Sequence, residues 1–145
     1  MAPLQKRALY ALVLGVVFAI AIAVVFIAKG DVTAFDEDQG FRLIVYGLWI
    51  AVPLAYLIIV NLTLRKPGQV DERDRVIIAR ASKIQLFAVI LSLIAWMIVL
   101  TEVYWDERQV PVIFLTLIVI STLIISTLAQ SAGILIGYWK GVSRD

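Results

Sequence analysis

Residues 112–139 read VIFLTLIVISTLIISTLAQSAGILIGYW, with no Asp, Glu, Lys or Arg among them. A helix needs about 20 predominantly apolar residues to cross roughly 30 Å of hydrocarbon, and this run exceeds that. Three further runs do the same: Ala8–Ala28, Leu43–Leu64 and Ile84–Tyr104. In lipid the backbone must satisfy its own polar groups, so each run is read as a helix. The period-2 alternation of barrel strands is missing from all four. The predicted fold is all-α: a polytopic membrane protein, one four-helix transmembrane bundle over residues 1–145.

Composition agrees. The chain is 62% hydrophobic and 17% charged, with a mean hydropathy of +0.97. A soluble domain of this length would carry more charge. With neither Cys nor His, disulfides, Cys or His zinc sites and His-ligated haem are excluded. No cofactor is expected, and a net charge of +2 gives no reason to expect a nucleic-acid partner. Lys6 and Arg7 ahead of the first run imitate a secretory signal. The run is longer than the about 7–15 residues of a signal core, so it is expected to stay as a span.

Lys and Arg favour the cytoplasmic side of short loops. Lys6, Arg7, Arg65, Lys66, Arg73, Arg75, Arg80, Lys83, Lys140 and Arg144 fall on one side of a four-span topology, and only Lys29, Arg42 and Arg108 on the other. Both termini are therefore predicted to be cytoplasmic. Tyr104, Trp105, Tyr138 and Trp139 suit the interfacial belts. Trp96 lies well inside its run, so its indole N–H must find a partner or face protein.

Small residues recur at helical spacing: Ala11, Gly15, Ala19 and Ala23; Gly47, Ala51 and Ala55; Ala88, Ser92 and Ala95; Ala129, Gly133 and Gly137. Such stripes let helices approach closely in lipid. They either pack the four helices together or, on the fourth helix above all, meet another subunit. Thr122, Ser126 and Gln130 share the face of Gly133 and Gly137. They are either interhelical hydrogen-bonding groups or the lining of a polar pathway. Pro53 is expected to kink the second span.

No ionisable residue lies deep in any run, which argues against a coupled pump with a midplane carboxylate. Glu102, near the outer end of the third run and followed by Asp106 and Glu107, is the nearest candidate. It is either a proton or cation site or a carboxylate reaching the outer headgroups. Asp36-Glu37-Asp38-Gln39-Gly40 lacks the full calcium-loop pattern and reads as a solvated acidic turn.

Pro67-Gly68 marks a turn. Beyond it, Asp71 is placed as a helix N-cap, with Asp74 in a capping-box position and Arg75 one turn away to pair with it. No breaker separates Asp71 from Tyr104, so one helix is predicted to overhang the membrane. Its extension over about residues 71–83 would present Asp71, Glu72, Arg73, Asp74 and Arg75 as a cytoplasmic knob.

The run Asp71-Glu72-Arg73-Asp74-Arg75, continuing through Ala79-Arg80-Ala81-Ser82-Lys83 into a span, resembles an uncharacterised family of small prokaryotic membrane proteins. In that family a D-E-R-D stretch leads into a hydrophobic helix. The resemblance covers the second half of the chain and implies a multi-pass protein of the cytoplasmic (inner) membrane with no activity to carry over. The expected function is non-enzymatic: a small subunit, regulator or scaffold, embedded in membrane lipids. It would act as a homo-oligomer or within a membrane complex, with the knob offered to a cytoplasmic protein. The alternative is a small oligomeric channel or transporter lined by the fourth helix.

Overall fold

The structure is a computed structural model that describes residues 2–29, 32–63 and 71–141. The turn expected at Pro67-Gly68, the residues Asp31, Leu64, Arg65, Lys66 and Arg144, and the chain beyond Gly141 lie outside them. Five helices run α1 (Pro3–Lys29), α2 (Val32–Glu37), α3 (Gln39–Thr63), α4 (Glu72–Val103) and α5 (Ile113–Trp139). Among the described residues there is no strand. Four helices are long and apolar enough to cross a membrane. α3 continues through Pro53 as one helix. The short α2 was not foreseen in the sequence.

The four long helices form a row and not a closed square. α5 is central, packed against α4 on one side and α1 on the other, while α3 packs on α1. α3 and α4, the two ends of this series of contacts, share no packed interface among the described residues. Two apolar centres hold the row. At one end Phe18 and Ile22 of α1, Phe35 of α2, Phe41 and Val45 of α3, and Ile113 and Ile120 of α5 are buried together. There Phe41 meets Phe26 and Phe35 edge-on, at 5.3 and 5.6 Å between ring centroids. At the other end Leu4 and Ala8 of α1, Ile77 and Ala81 of α4, and Ile134 of α5 close together.

The small-residue stripes divide in use. A β-carbon on Gly133 would stand 3.0 Å from Ala81 Cα, and one on Gly137 would stand 2.8 Å from Ile77 Cγ2. The Gly133–Gly137 stripe is therefore the seam with α4 inside this chain. It is not a face held for another subunit. Gly15 meets Leu128 of α5, where a β-carbon would stand 3.0 Å from Cδ2, and Ala19, one turn further on, is half-buried. Gly47 has nothing within 4 Å of its β position, and Ala51 is exposed. The α3 stripe is thus open on the outer flank.

The α4–α5 seam is also pinned by hydrogen bonds. Gln85 Nε2 donates to Ser126 Oγ at 2.6 Å, and Trp96 Nε1 donates to Ser121 Oγ at 2.8 Å. The deep tryptophan thereby finds the partner its burial in a span demands. Ser121→Ala and Ser126→Ala should each lower unfolding stability in micelles by about 0.6 kcal/mol, the average for such interhelical bonds. The check is denaturant titration of each purified variant. A loss several times larger would mean that the orphaned indole or carboxamide finds no other partner.

Where α2 meets α3, Asp38 caps the longer helix. Its Oδ1 accepts from the N–H of Gly40 at 2.8 Å and of Phe41 at 3.3 Å. Lys29 Nζ reaches its Oδ2 at 3.1 Å. The Lys29 hydrogen bond, then the helix N–H groups, hold the Asp38 carboxyl below its ordinary range. The acidic turn is therefore partly a cap, which a string of carboxylates in sequence does not announce.

Candidate functional site

Two places gather polar chemistry. The first is the start of α4. Asp71 is its N-cap and accepts from Glu72 N–H at 2.7 Å. The reciprocal capping box does not form, because Asp74 turns the other way. Asp74 is 8% exposed and accepts a hydrogen bond from the Tyr138 hydroxyl of α5. Arg73 lies over the same ring, 5.8 Å from its centroid. Ile77, one turn on, is fully enclosed. The expected Asp71–Arg75 side-chain pair is absent as well. Arg75 gives its backbone N–H to Asp71 O at 3.2 Å, and its side chain is exposed.

The overhang of α4 is thus no free projection. It is 32 residues long, about 48 Å at 1.5 Å per residue. Its first turns are strapped to the end of α5 and rest on the start of α1. Of the five residues assigned to the knob, Asp71, Glu72, Arg73 and Arg75 remain exposed, and Asp74 is the anchor beneath them. Along that exposed ridge two acidic residues are followed by two basic ones, on a helical turn fixed from beneath.

The second place is a crevice bounded by α1, α3 and α5. Its polar end is a recess of about 70 Å³ lined by Arg7, Tyr56, Gln130 and Ser131, with Leu4, Ala8, Ala11, Ile78 and Ile134 around them. Arg7 Nη2 donates to Tyr56 Oη at 3.2 Å. Gln130 makes no side-chain hydrogen bond among the described residues. Beyond Tyr56 the crevice continues as a cavity of about 190 Å³, lined by apolar side chains of the same three helices with Trp49, Tyr56 and Thr127. The Trp49 indole N–H is buried without a partner among the described residues. Pro53, four residues on, has no N–H to offer the Trp49 carbonyl.

Thr122, Ser126 and Gln130 therefore do not line one path. Ser126 is engaged by Gln85 of α4, Thr122 Oγ1 is buried without a partner among the described residues, and Gln130 opens on the crevice instead. At the far end of α4, Glu102, Asp106 and Glu107 are all exposed. No group of three acidic residues among the described residues is placed to hold a metal ion. Near them an open groove of about 780 Å³ runs between the ends of α4 and α5, past Trp96, Tyr104, Trp105 and Arg108. Phe114 receives Trp96 and Tyr104 edge-on beside it. Arg108 takes the left-handed backbone conformation, φ 52°, to turn the chain back into α5.

Sequence reading missed Arg7, Tyr56, Trp49 and Gln85 as site residues and saw Tyr138 only as a belt aromatic. The hydrogen-bond partners of Arg7, Tyr56, Gln85 and Tyr138 lie 41 to 64 positions away, and no local spacing marks any of these residues. Only Gln130 carried a usable signal, since an amide in a span must face protein or water. No family model, curated protein or solved structure matches this chain.

Proposed function

We propose that the chain is a non-enzymatic integral membrane protein that acts by binding, as a small subunit, regulator or scaffold. The excess of Lys and Arg on one side supports an orientation with both termini and the start of α4 in the cytoplasm. The D-E-R-D resemblance supports a prokaryotic inner membrane. One observation carries the reading: the first turn of α4 is anchored by Asp74 and Ile77, so Asp71, Glu72, Arg73 and Arg75 stand as an ordered charged ridge. A ridge held in one geometry avoids the ordering cost that a flexible segment incurs on binding. Its charges of both signs suit a cytoplasmic protein surface of complementary pattern. The open Gly47–Ala51 stripe of α3 is available for a homo-oligomer or a neighbouring membrane subunit. The channel reading is weakened, because Ser126 is engaged by Gln85 of α4 while Gln130 opens on the crevice, so the polar residues of α5 line no single path.

The test is charge reversal with partner capture. Arg75→Glu alters an exposed side chain that makes no hydrogen bond or ion pair among the described residues, and the double variant Arg73→Glu/Arg75→Glu reverses both exposed cations. Proteins that co-purify with the parent in mild detergent should be lost from the variants, while the thermal midpoint of Arg75→Glu stays at the parent value. An unchanged partner set would refute the reading.

A further inference from the structure

The crevice between α1, α3 and α5 has a charged end, an apolar end and no occupant among the described residues. We propose that it holds one anionic phospholipid, with the phosphate at Arg7 and Gln130 and one acyl chain running past Gly15 toward Trp49. The chemistry of the recess selects an anion. Among the described residues Arg7 is the one ionisable cation lining it, and no carboxylate does so: Arg7 comes from α1, Tyr56 from α3, Ile78 from α4, and Gln130 and Ser131 from α5. Guanidinium, carboxamide and two hydroxyls supply hydrogen-bond donors on three sides of a small space. The half-buried Gln130 carboxamide makes no side-chain hydrogen bond among the described residues, so its donors are free to meet an acceptor that enters the recess.

The chemistry of the cavity beyond selects a hydrocarbon chain. Leu14, Gly15 and Phe18 of α1 face Val52 and Pro53 of α3, with Ile124 of α5 closing the third side. Tyr56 lines both spaces and joins them. From the level of Leu4 to that of Phe18 the crevice follows α1 for roughly 21 Å at 1.5 Å per residue. A free phosphate would use only the first part of that length and leave the apolar part empty. The levels also match a bilayer: Ile78, beside the recess, lies before Arg80 and Lys83, which mark the inner headgroup layer, and the cavity lies on the hydrocarbon side.

The site does not depend on a protein partner, so partner capture can fail while the lipid response stands. The experiment uses the full chain in neutral maltoside micelles, doped with phosphatidylglycerol or with phosphatidylcholine of the same acyl chains. The readout is the thermal midpoint against lipid concentration, since a ligand that binds only the folded state raises it in proportion to occupancy. Phosphatidylglycerol should raise the midpoint and saturate, and phosphatidylcholine should not. Arg7→Gln should shift the half-saturating concentration about tenfold, the effect of losing one charge-assisted hydrogen bond. Lys6→Gln, at the exposed neighbouring cation, should leave it unchanged. Val52→Trp, which fills the apolar cavity and keeps Arg7, should also abolish the response. That variant decides the matter if Arg7→Gln does not fold. Equal shifts by the two lipids, or equal losses in Lys6→Gln and Arg7→Gln, would overturn the proposal. So would an equal shift by glycerol 1-phosphate alone, which would assign the recess to a free anion.

Discussion

Gly133→Leu should separate α4 from α5 and give the largest loss of stability of any single change in the spans. The β-carbon of even an alanine would stand 3.0 Å from Ala81 Cα and 3.1 Å from Ala81 Cβ. Ala81 is fully buried, and its backbone cannot rotate aside. Gly→Ala in a helix gains about 0.8–1.0 kcal/mol of intrinsic propensity. Overpacking costs about 1–3 kcal/mol, occasionally more, so the clash wins already at alanine. Leucine adds three carbons in the same direction and must push the whole helix away, opening both Gln85–Ser126 and Trp96–Ser121. The measurement is unfolding of the purified protein in mild detergent, with Gly47→Ala as reference. At Gly47 nothing lies within 4 Å of the added carbon, so the propensity gain of up to about 1 kcal/mol should appear alone. If Gly47→Ala destabilises instead, that flank is covered by another subunit. If Gly133→Leu unfolds with the parent, the α4–α5 seam is not as described.

Tyr138→Phe should release the first turn of α4. Asp74 is buried, its side-chain partner is the Tyr138 hydroxyl, and deleting one oxygen leaves a carboxylate without that bond. Hydrogen bonds to charged groups are worth about 1.5–3 kcal/mol, and leaving the charged partner buried sets the cost near the upper end. The start of α4 offsets part of it, since a carboxylate in a first turn is favoured by the helix dipole. Asp74→Asn keeps an acceptor and should cost less than Tyr138→Phe. In the double variant Tyr138→Phe/Asp74→Asn the two losses should fall short of their sum, the sign of direct coupling. Faster amide hydrogen exchange confined to the turn after Glu72 would locate the effect. Tyr138→Phe should also weaken partner capture by the exposed ridge, although it alters no ridge residue. Full partner capture with a mobile first turn would show that rigidity of the ridge is irrelevant to binding.

The spans were legible because a bilayer imposes one solution on a long apolar run. The four runs reappear as α1, α3, α4 and α5; the first three begin several residues ahead of their runs, and α5 covers all of its run but Val112. The demand of Trp96 for a partner was legible for the same reason, though Ser121 as that partner was not. Helix caps were half legible: Asp71 caps α4 as its type and position suggest, while Asp38 caps α3 from within a cluster of acidic residues that look alike in sequence. Asp74 shows where local reading stops. Its spacing from Asp71 fits a capping box, yet a tyrosine on another helix takes it. Local geometry offers one weak bond there, and tertiary packing offers a shielded one.

Sequence alone therefore determined the four long helices, their approximate ends and which residues are small, because these depend on the solvent and on spacing along one chain. The tertiary structure decided which stripe meets which helix. Gly133 and Gly137 went to α4, Gly15 to α5, and Gly47 to the open flank. It also placed Arg7, Tyr56 and Gln130 around one recess. In lipid every apolar face is equally content with lipid, so hydrophobicity gives no preference among partners. Shape complementarity and a few hydrogen bonds choose instead, and they exist only once helices distant in sequence lie side by side.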